Sequence, residues 1–239
     1  MGDFILSFEN VYISYSKSGR DICKDISFDL KRGTILGVVG ESGSGKSTLA
    51  KAIVGLLQAK SGKLVRGARN VQMVFQDPAS SLNPAHKIGW LLNEALVIKG
   101  EKDKAVRDKK IIDIIEKVEL EKVCIDRKAS ELSGGQKQRA AIALALINEP
   151  DLIVCDEPIS AIDVTRSAEI TKLFLKLKKE LGLSIIFISH DLRVVYQICD
   201  KVLLLRDGEI VEQGDTREVY LHPKSDYMKE LCSLYDEGR

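Results

Sequence analysis

Residues 34–48 read TILGVVGESGSGKST, an apolar run followed directly by a glycine-rich loop and a segment with helical spacing. Residues 40–48 fit the pattern G-x-x-x-x-G-K-[ST], which in the order strand, loop, helix is typical of a phosphate-binding loop. Its glycines let the backbone wrap a phosphate chain, and the N–H groups at the helix N-terminus supply positive potential. A plain Gly/Ser-rich turn is the alternative, and the strand-to-helix context disfavours it. The predicted phosphate-binding residues are Gly40, Ser42, Gly43, Ser44, Gly45, Lys46, Ser47 and Thr48.

Apolar patterning outside this loop indicates the fold class. The runs TILGVVG, LIVCD and SIIFIS are almost continuously apolar, as in strands covered on both faces, whereas FILSFENVYI alternates like a half-buried strand. Helical spacing is present at residues 46–57, 104–118, 134–147, 165–181 and 192–198. Strands that alternate with helices predict an α/β fold with a mostly parallel core sheet flanked by helices.

The middle of the chain, residues 78–149, carries helical patterns and loops without a convincing strand, which predicts a helical insertion into the α/β core. Its charge-rich stretch GEKDKAVRDKK resembles a nucleic-acid patch at first sight. Acidic residues interleave with the lysines, however, and mixed-sign runs are typical of a solvated helix face.

Length, composition and charge limit the classes of protein to which this chain can belong. The chain has 239 residues, 44% apolar and 30% charged, with a formal net charge of +1, which fits one soluble globular domain and disfavours a polyanion as the main partner. No run of about 18 apolar residues and no signal peptide is visible, so we expect a cytoplasmic protein. The five scattered cysteines form no C-x-x-C pair, which argues against a zinc site or a disulfide framework.

A second motif, DLIVCDEP at residues 151–158, is an apolar strand that ends in two carboxylates. Successive strand residues point in opposite directions. Asp156 could therefore orient Mg²⁺ through water while Glu157 acts on the attacking water as general base. An acidic strand end before proline is also a good turn, and the phosphate loop earlier in the chain favours the functional interpretation. In that loop, Lys46 would reach the β- and γ-phosphates and the Ser47 hydroxyl would bind Mg²⁺.

A third motif, LSGGQKQR at residues 132–139, precedes an alanine-rich helical segment and predicts a second anion-binding helix end. With this motif the chain resembles the nucleotide-binding subunits of ATP-binding cassette (ABC) transporters, from Tyr15 to about Gly214. GESGSGKST is similar to the family's phosphate loop, LIVCDE to its magnesium strand and LSGGQ to its signature. In the family's order, VFQD with Gln76 resembles the Q-loop, SAID at 160–163 the D-loop, and ISHD with His190 the switch histidine.

The resemblance implies a P-loop NTPase fold of the ABC type, with ATP and Mg²⁺ as cofactors and two such domains meeting head to tail. The signature residues Ser133, Gly134, Gly135 and Gln136 would then bind the ATP of the partner domain. Gln76 would orient the metal or the lytic water, and His190 would hold the γ-phosphate, beside Glu157 and Lys46 in the catalytic set. Tyr15 would stack on adenine, with Tyr12 as the competing candidate.

Two further stretches resemble one subgroup of the family, the importers of oligopeptides, dipeptides and nickel or metal chelates. QDPASSLNP, from Gln76 onward, is similar to that subgroup's Q-loop extension, and HPKSDYMKEL at 222–231 to its HP-x-x-x-Y-x-x-x-L element. Residues 78–96 would face the permease, with Trp90 and Leu91 as anchors or as core residues. Only 30 residues separate Lys46 from Gln76, which predicts a reduced antiparallel β subdomain.

The combined prediction is a single ABC ATPase domain over 1–239, with a core at 1–77 and 150–221, a helical subdomain at about 78–149 and a short helical tail at 222–239. It would hydrolyse ATP at the cytoplasmic face of the membrane, with a second ATPase subunit, two permease subunits and, indirectly, an extracellular solute-binding protein as partners. No nucleic-acid partner is expected. Non-transport ABC ATPases of ribosomes or DNA, or an importer of another solute, are the alternatives. Peptides and nickel or metal chelates both remain open as cargo, and the short C-terminus slightly favours the metal-type members.

Overall fold

A computed structural model describes residues 4–16, 18–159 and 164–236 of the chain. The strands are β1 (Phe4–Ile13), β2 (Cys23–Lys31), β3 (Ile35–Val39), β4 (Ala59–Arg66), β5 (Val71–Val74), β6 (Leu152–Asp156), β7 (Ser184–Ile188), β8 (Lys201–Arg206) and β9 (Glu209–Asp215). The helices are α1 (Lys46–Ile53), α2 (Pro78–Ser81), α3 (Ile88–Ile98), α4 (Lys104–Lys117), α5 (Gly134–Leu146), α6 (Val164–Leu181), α7 (Leu192–Ile198), α8 (Thr216–Leu221) and α9 (Asp226–Asp236). Two 3₁₀ turns, Lys122–Asp126 and Ala129–Glu131, lie between α4 and α5.

Six strands form the core sheet in the order β5-β6-β7-β3-β8-β9. All neighbours are parallel except β8 and β9, which form an antiparallel hairpin. Strands β3, β6 and β7 are buried along their whole length, which is why their sequences are continuously apolar. The carboxyl ends of β5, β6, β7 and β3 therefore meet at one edge of the sheet, and this edge carries the predicted site.

The three remaining strands form an antiparallel sheet in the order β2-β1-β4. β1 has the bounds that its alternating pattern predicts. Helix α1 lies between the two sheets, since Leu49 and Ile53 belong to one buried cluster with Ile5 of the small sheet and Leu203 of the core sheet. The predicted α/β fold with a mostly parallel sheet and an antiparallel subdomain is confirmed.

Between β5 and β6 the described chain is helical, with α2 to α5 and only an isolated bridge between Lys87 and Lys128. Helix α4 begins at the N-cap Asp103, whose side chain accepts from two backbone N–H groups. It buries Ile111, Ile114 and Ile115 and leaves most of its charged side chains exposed. The mixed-sign stretch is thus the solvated face of an amphipathic helix.

Trp90 and Leu91, the two proposed permease anchors, differ in burial in helix α3. Leu91 is buried in the core with Leu92 and Leu96, whereas Trp90 is 43% exposed. The Trp90 ring stacks on His86 with 3.7 Å between the ring centroids. Of these two side chains, only that of Trp90 is exposed enough to be an anchor for another subunit.

Cys23, Cys124, Cys155 and Cys199 are buried free thiols, and Cys232 is half-buried. Burial raises the pKa of Cys23 to about 12, so this thiol stays protonated. In the described part of the chain, no group of three or more His, Cys, Asp or Glu side chains is arranged to hold a metal ion. None of the described helices combines the length and apolar character needed to cross a bilayer.

The end of the described chain folds back onto the core sheet. Helix α8 follows β9, and α9 begins at Asp226, four residues after the predicted start of the helical tail at 222. Tyr227 and Met228 of α9 are buried in the same cluster as Ile35 and Val39 of β3. The proposed division into core, helical subdomain and tail stays a prediction.

Candidate functional site

The phosphate loop connects β3 to α1 in a strained, compact turn. Gly43 and Gly45 have φ values of 82° and 107°, which side chains other than glycine rarely adopt. Gly40 lies so close to the carbonyl oxygen of Leu205 that a Cβ atom would collide with it. Gly45 is the N-cap of α1 and supplies no side-chain cap, so the first N–H groups of this helix remain available to an anion.

Lys46 lies inside this loop and is only 6% exposed. Its Nζ donates to the carbonyl oxygens of Gly40, at 2.7 Å, and Glu41, at 2.6 Å. Burial lowers the pKa of Lys46, and the nearby carboxylates of Glu157 and Asp156 partly offset this effect. Among the described residues, the hydrogen-bond acceptors of this buried ammonium are two carbonyl oxygens. The ammonium is therefore suited to exchange these two partners for phosphate oxygens.

The carboxylate of Asp156 faces the loop from the end of β6 and is 7% exposed. Burial raises its pKa, while a hydrogen bond from the Ser47 hydroxyl lowers it. Ser44 next to them has a buried Oγ without a hydrogen-bond partner among the described residues. Oxygen donors of this kind fit a hard divalent cation, and the unpartnered hydroxyl and open helix end fit a polyphosphate.

Glu157 follows Asp156 with φ of 48°, a left-handed conformation that costs energy for a non-glycine residue and is often found at active sites. Its carboxylate oxygen Oε2 accepts from Gln76 Nε2 at 3.3 Å and lies 3.4 Å from Nδ1 of His190. Gln76 follows β5 and His190 follows β7, so the ends of three neighbouring strands contribute to one cluster.

These groups line a single cleft of about 460 Å³. Its described lining consists of Ile22, Ser42, Gly43, Gly45, Lys46, Ser47, Thr48, Gln76, Glu157 and His190. The fold thus brings together the predicted phosphate, catalytic and metal residues of one chain, with Asp156 directly behind Ser47.

Tyr15 stands beside the phosphate loop rather than in it. Its hydroxyl lies 3.3 Å from the Thr48 Oγ1, and Lys51 Nζ contacts the same hydroxyl at 3.4 Å. The hydrogen bond with Thr48 lowers the Tyr15 pKa, burial raises it, and Lys51 also lowers it. The ring is 60% exposed, which leaves a face free to stack, whereas Tyr12 lies within β1 opposite Ser61. The geometry favours Tyr15 over Tyr12.

The signature residues do not line this cleft. Ser133 is the N-cap of α5, where its Oγ accepts from the Gln136 N–H and the Gln136 Oε1 accepts from the Ser133 N–H. Leu132 is buried and anchors the turn, while Gly134 faces open space. The second predicted anion site is therefore separate from the first within one chain.

Two residues in or beside the cleft, Ile22 and Lys51, are absent from the sequence prediction. Lys51 lies one helical turn after Ser47 on α1, and this i, i+4 spacing is the signal that could have identified it. Ile22 immediately precedes β2 and lines the cleft through the fold of the small sheet, which no local pattern reports. The predicted D-loop at 160–163 lies outside the described residues.

Comparison with known proteins gives the family that the sequence motifs resemble. The sequence model described as ABC transporter matches residues 23–160. The oligopeptide transport ATP-binding protein OppF of Haemophilus influenzae is 46% identical over 226 residues, which cover 88% of this chain and 68% of that protein. The OppF protein of Streptococcus mutans is 39% identical over 252 aligned positions, covering 98% of this chain and 82% of that protein.

Among solved structures, a dimeric post-hydrolysis state of the ATP-binding cassette MJ0796 bound to ADP and Pi superimposes with a TM-score of 0.78. It is 28% identical and covers 89% of this chain and 99% of that one. A family match over more than half of the residues agrees with the strand-end cluster around the phosphate loop. The chain belongs to the ABC transporter family.

Proposed function

We propose that this chain is the ATP-hydrolysing subunit of an ABC importer for peptides. The observation that carries the proposal is that Lys46, Glu157 and His190 line one cleft at the phosphate loop, with Asp156 near enough to affect the pKa of Lys46. The cargo class rests on relatives whose names specify oligopeptide transport. Nickel or metal chelates remain the second cargo class of the subgroup.

The reaction we propose is attack of water on the γ-phosphate of ATP, with ADP as the leaving group. The Lys46 ammonium exchanges its carbonyl partners for β- and γ-phosphate oxygens and neutralises part of their charge. The Glu157 carboxylate accepts a proton from the attacking water. His190, already in contact with Glu157, holds the transferred phosphoryl group, and Gln76 orients the water.

Ser47, Asp156 and Gln76 are the residues that would hold Mg²⁺, with Asp156 acting through water. When bound, the ion would supply charge neutralisation at the phosphate oxygens. Support for this assignment comes from the position of the two oxygen donors, since the Ser47 hydroxyl is near enough to the Asp156 carboxylate to lower its pKa. Tyr15 is proposed to stack on adenine from the edge of the cleft.

A second ATPase chain is required by this proposal, because Ser133, Gly134, Gly135 and Gln136 face away from their own cleft. They are proposed to complete the cage around the γ-phosphate bound by the partner chain. The dimeric form of the cassette MJ0796 supports this arrangement. The partner that we propose is a different ATPase chain, and a second copy of this chain is the alternative.

Two permease subunits are proposed to dock on the helical side, which would place the chain at the inner face of the membrane. An open groove of about 650 Å³ lies beside the predicted contact segment 78–96. Its lining includes Phe75, Ser81, Asn83, Leu91, Glu94, Ala95 and Ile98. Ile98 is 80% exposed, and an apolar side chain so accessible suits a contact with another subunit.

Co-purification from the native membrane tests the proposal. The tagged full chain should be recovered with integral-membrane subunits, and the recovered complex should hydrolyse ATP faster when a peptide-loaded binding protein is added. Recovery with ribosomes or DNA instead would support the non-transport alternative. Stimulation by a nickel-loaded but not by a peptide-loaded binding protein would change the cargo class.

A further inference from the structure

The C-terminal helix α9 packs against helices α7 and α8. It carries the tyrosine of the HP-x-x-x-Y-x-x-x-L element, Tyr227, which is 4% exposed. The guanidinium carbon of Arg206, at the end of β8, lies 4.9 Å from the centroid of the Tyr227 ring. This cation–π contact fixes the ring against the core sheet.

Two hydrogen-bonded connections hold this region in place. Glu212 of β9 accepts from the backbone N–H groups of Lys224 and Ser225 and from the Ser225 hydroxyl, which ties the start of α9 to the hairpin. At the hairpin turn, the Gly208 N–H donates to the carbonyl oxygen of Ser44 at 3.0 Å. The hairpin therefore joins the C-terminal helix to the phosphate loop.

The Tyr227 side chain lies next to the start of the phosphate loop. Arg206, which contacts the ring, follows Leu205, whose carbonyl oxygen lies against Gly40. Burial and the Glu41 carboxylate raise the pKa of Tyr227, and the Glu41 backbone lowers it. The hydroxyl is buried and completes no hydrogen bond within the described part of the chain. A buried hydroxyl without a partner costs about 1–3 kcal/mol, so its retention requires a reason.

Glu41 links this hydroxyl to the catalytic lysine. The Glu41 carbonyl oxygen accepts from Lys46 Nζ and, at 3.2 Å, from the Ser44 N–H. When Lys46 turns to a phosphate, this carbonyl loses its charged donor and the peptide units around Glu41 are freed to shift.

We propose that Tyr227 is a positioning residue of the phosphate loop. Its hydroxyl oxygen accepts from the Glu41 N–H when the loop wraps a polyphosphate, so that helix α9 sets the nucleotide-bound conformation of the loop. The inference rests on the proposed ATP site. It assigns to the C-terminal element a part in nucleotide affinity.

Tyr227→Phe tests this inference, because it removes one oxygen atom and keeps the ring on Arg206. The full-length variant should bind ATP with magnesium about three- to tenfold more weakly than the wild type in calorimetric titrations, the size of one neutral hydrogen bond. Its melting temperature without nucleotide should be unchanged or higher, since an unpartnered hydroxyl has been removed. Amide exchange at residues 41–46 in the ATP complex should also become faster.

Tyr196→Phe is the matched control, since the Tyr196 ring packs at a tilt against Tyr220, with 4.6 Å between the ring centroids, and lies outside the cleft lining. It should leave ATP affinity and loop exchange unchanged. Equal ATP affinity and equal loop exchange in Tyr227→Phe and wild type would overturn the inference. Failure of the wild type itself to bind ATP would instead refute the proposed function, so the two failures are distinguishable.

Discussion

Helices α1 and α5 both begin at a Gly/Ser-rich segment, yet their N-termini are built in opposite ways. The N-cap of α1 is Gly45, which provides no side-chain cap, and the adjoining Lys46 is buried. The N-cap of α5 is Ser133, which forms a complete capping box with Gln136 at an exposed surface. The first end thus leaves its N–H groups open to an external anion, whereas side chains at the second accept from two of its N–H groups, those of Ser133 and Gln136.

This difference teaches how an active site is divided between chains. The residues around α1 come from the ends of four strands of one chain, so we expect a single chain to bind nucleotide. The end of α5 is capped by its own side chains and lies outside the cleft lining. Its proposed ligand is therefore the nucleotide of a partner chain. Nucleotide binding and hydrolysis should therefore respond differently to changes at the two helices.

The largest effect is expected from Glu157→Gln, on the α1 side. Loss of the general base should lower the steady-state ATPase rate of the assembled complex about a hundred- to ten-thousandfold. ATP affinity should remain, because the amide keeps the shape of the side chain. Glu209→Gln in β9 is the control, with an unchanged rate expected; a wild-type rate in Glu157→Gln would remove this residue from the role of base.

Lys46→Ala should have the next largest effect. Nucleotide affinity of the full-length chain on its own should fall about ten- to a hundredfold, because a charge-assisted contact to phosphate is lost. Stability without nucleotide should not fall, since burial already disfavours the charged form of Lys46. Lys63→Ala on the exposed strand β4 is the control, and equal affinities for both variants, measured by calorimetry, would contradict a buried phosphate-binding lysine.

Alanine substitutions at the two N-caps test the difference between the ends of α1 and α5 directly. Gly45→Ala places a side chain at φ of 107°, which should cost about 1–3 kcal/mol in free energy of unfolding and weaken ATP binding. Ser133→Ala should cost about 1 kcal/mol and leave ATP binding by the single chain unchanged. Chemical denaturation with and without ATP measures both quantities. Loss of single-chain ATP affinity in Ser133→Ala would show that the two helix ends are not independent.

The smallest effect is expected at the ion pairs that join α5 to α6. Arg139 donates to the Val118 carbonyl and contacts Glu119 at 3.2 Å and Glu169 at 3.4 Å, and Lys176 contacts Glu119 at 2.9 Å. The hydrogen bond from Lys176 lowers the pKa of Glu119. Its stabilising contribution is therefore present above the unfolded-state pKa and is lost as the pH falls through the lower folded-state value.

Glu119→Gln should accordingly lower the free energy of unfolding by less than about 1 kcal/mol at neutral pH, because half of the Glu119 side chain is exposed. The difference from wild type should shrink in high salt and below the pKa of Glu119. Denaturation curves at several pH values and salt concentrations measure it. An effect that persists in acid and in high salt would indicate a packing role for Glu119.

The helices and buried strands of the core could be predicted from the sequence because their patterns are local. The spacing at 104–118 and 192–198 is close to α4 and α7, and the apolar runs mark β3, β6 and β7. β4 reads AKSGKLVR, half polar and mostly exposed, and only pairing with β1 makes it a strand. Its local preference for a strand is weak, so the residue pattern alone does not mark it as one.

The sequence by itself determined the phosphate loop, the acidic strand end and the signature, because each depends on residue types at fixed spacing along one segment. Tertiary structure alone decided that Glu157 lies between Gln76 and His190, that Leu91 is buried while Trp90 is exposed, and that the Tyr227 ring packs on Arg206. These contacts join residues far apart in the chain, since parallel strands bring distant carboxyl ends to one edge of the sheet. Local patterns carry the chemistry of each segment, and strand order decides which segments meet.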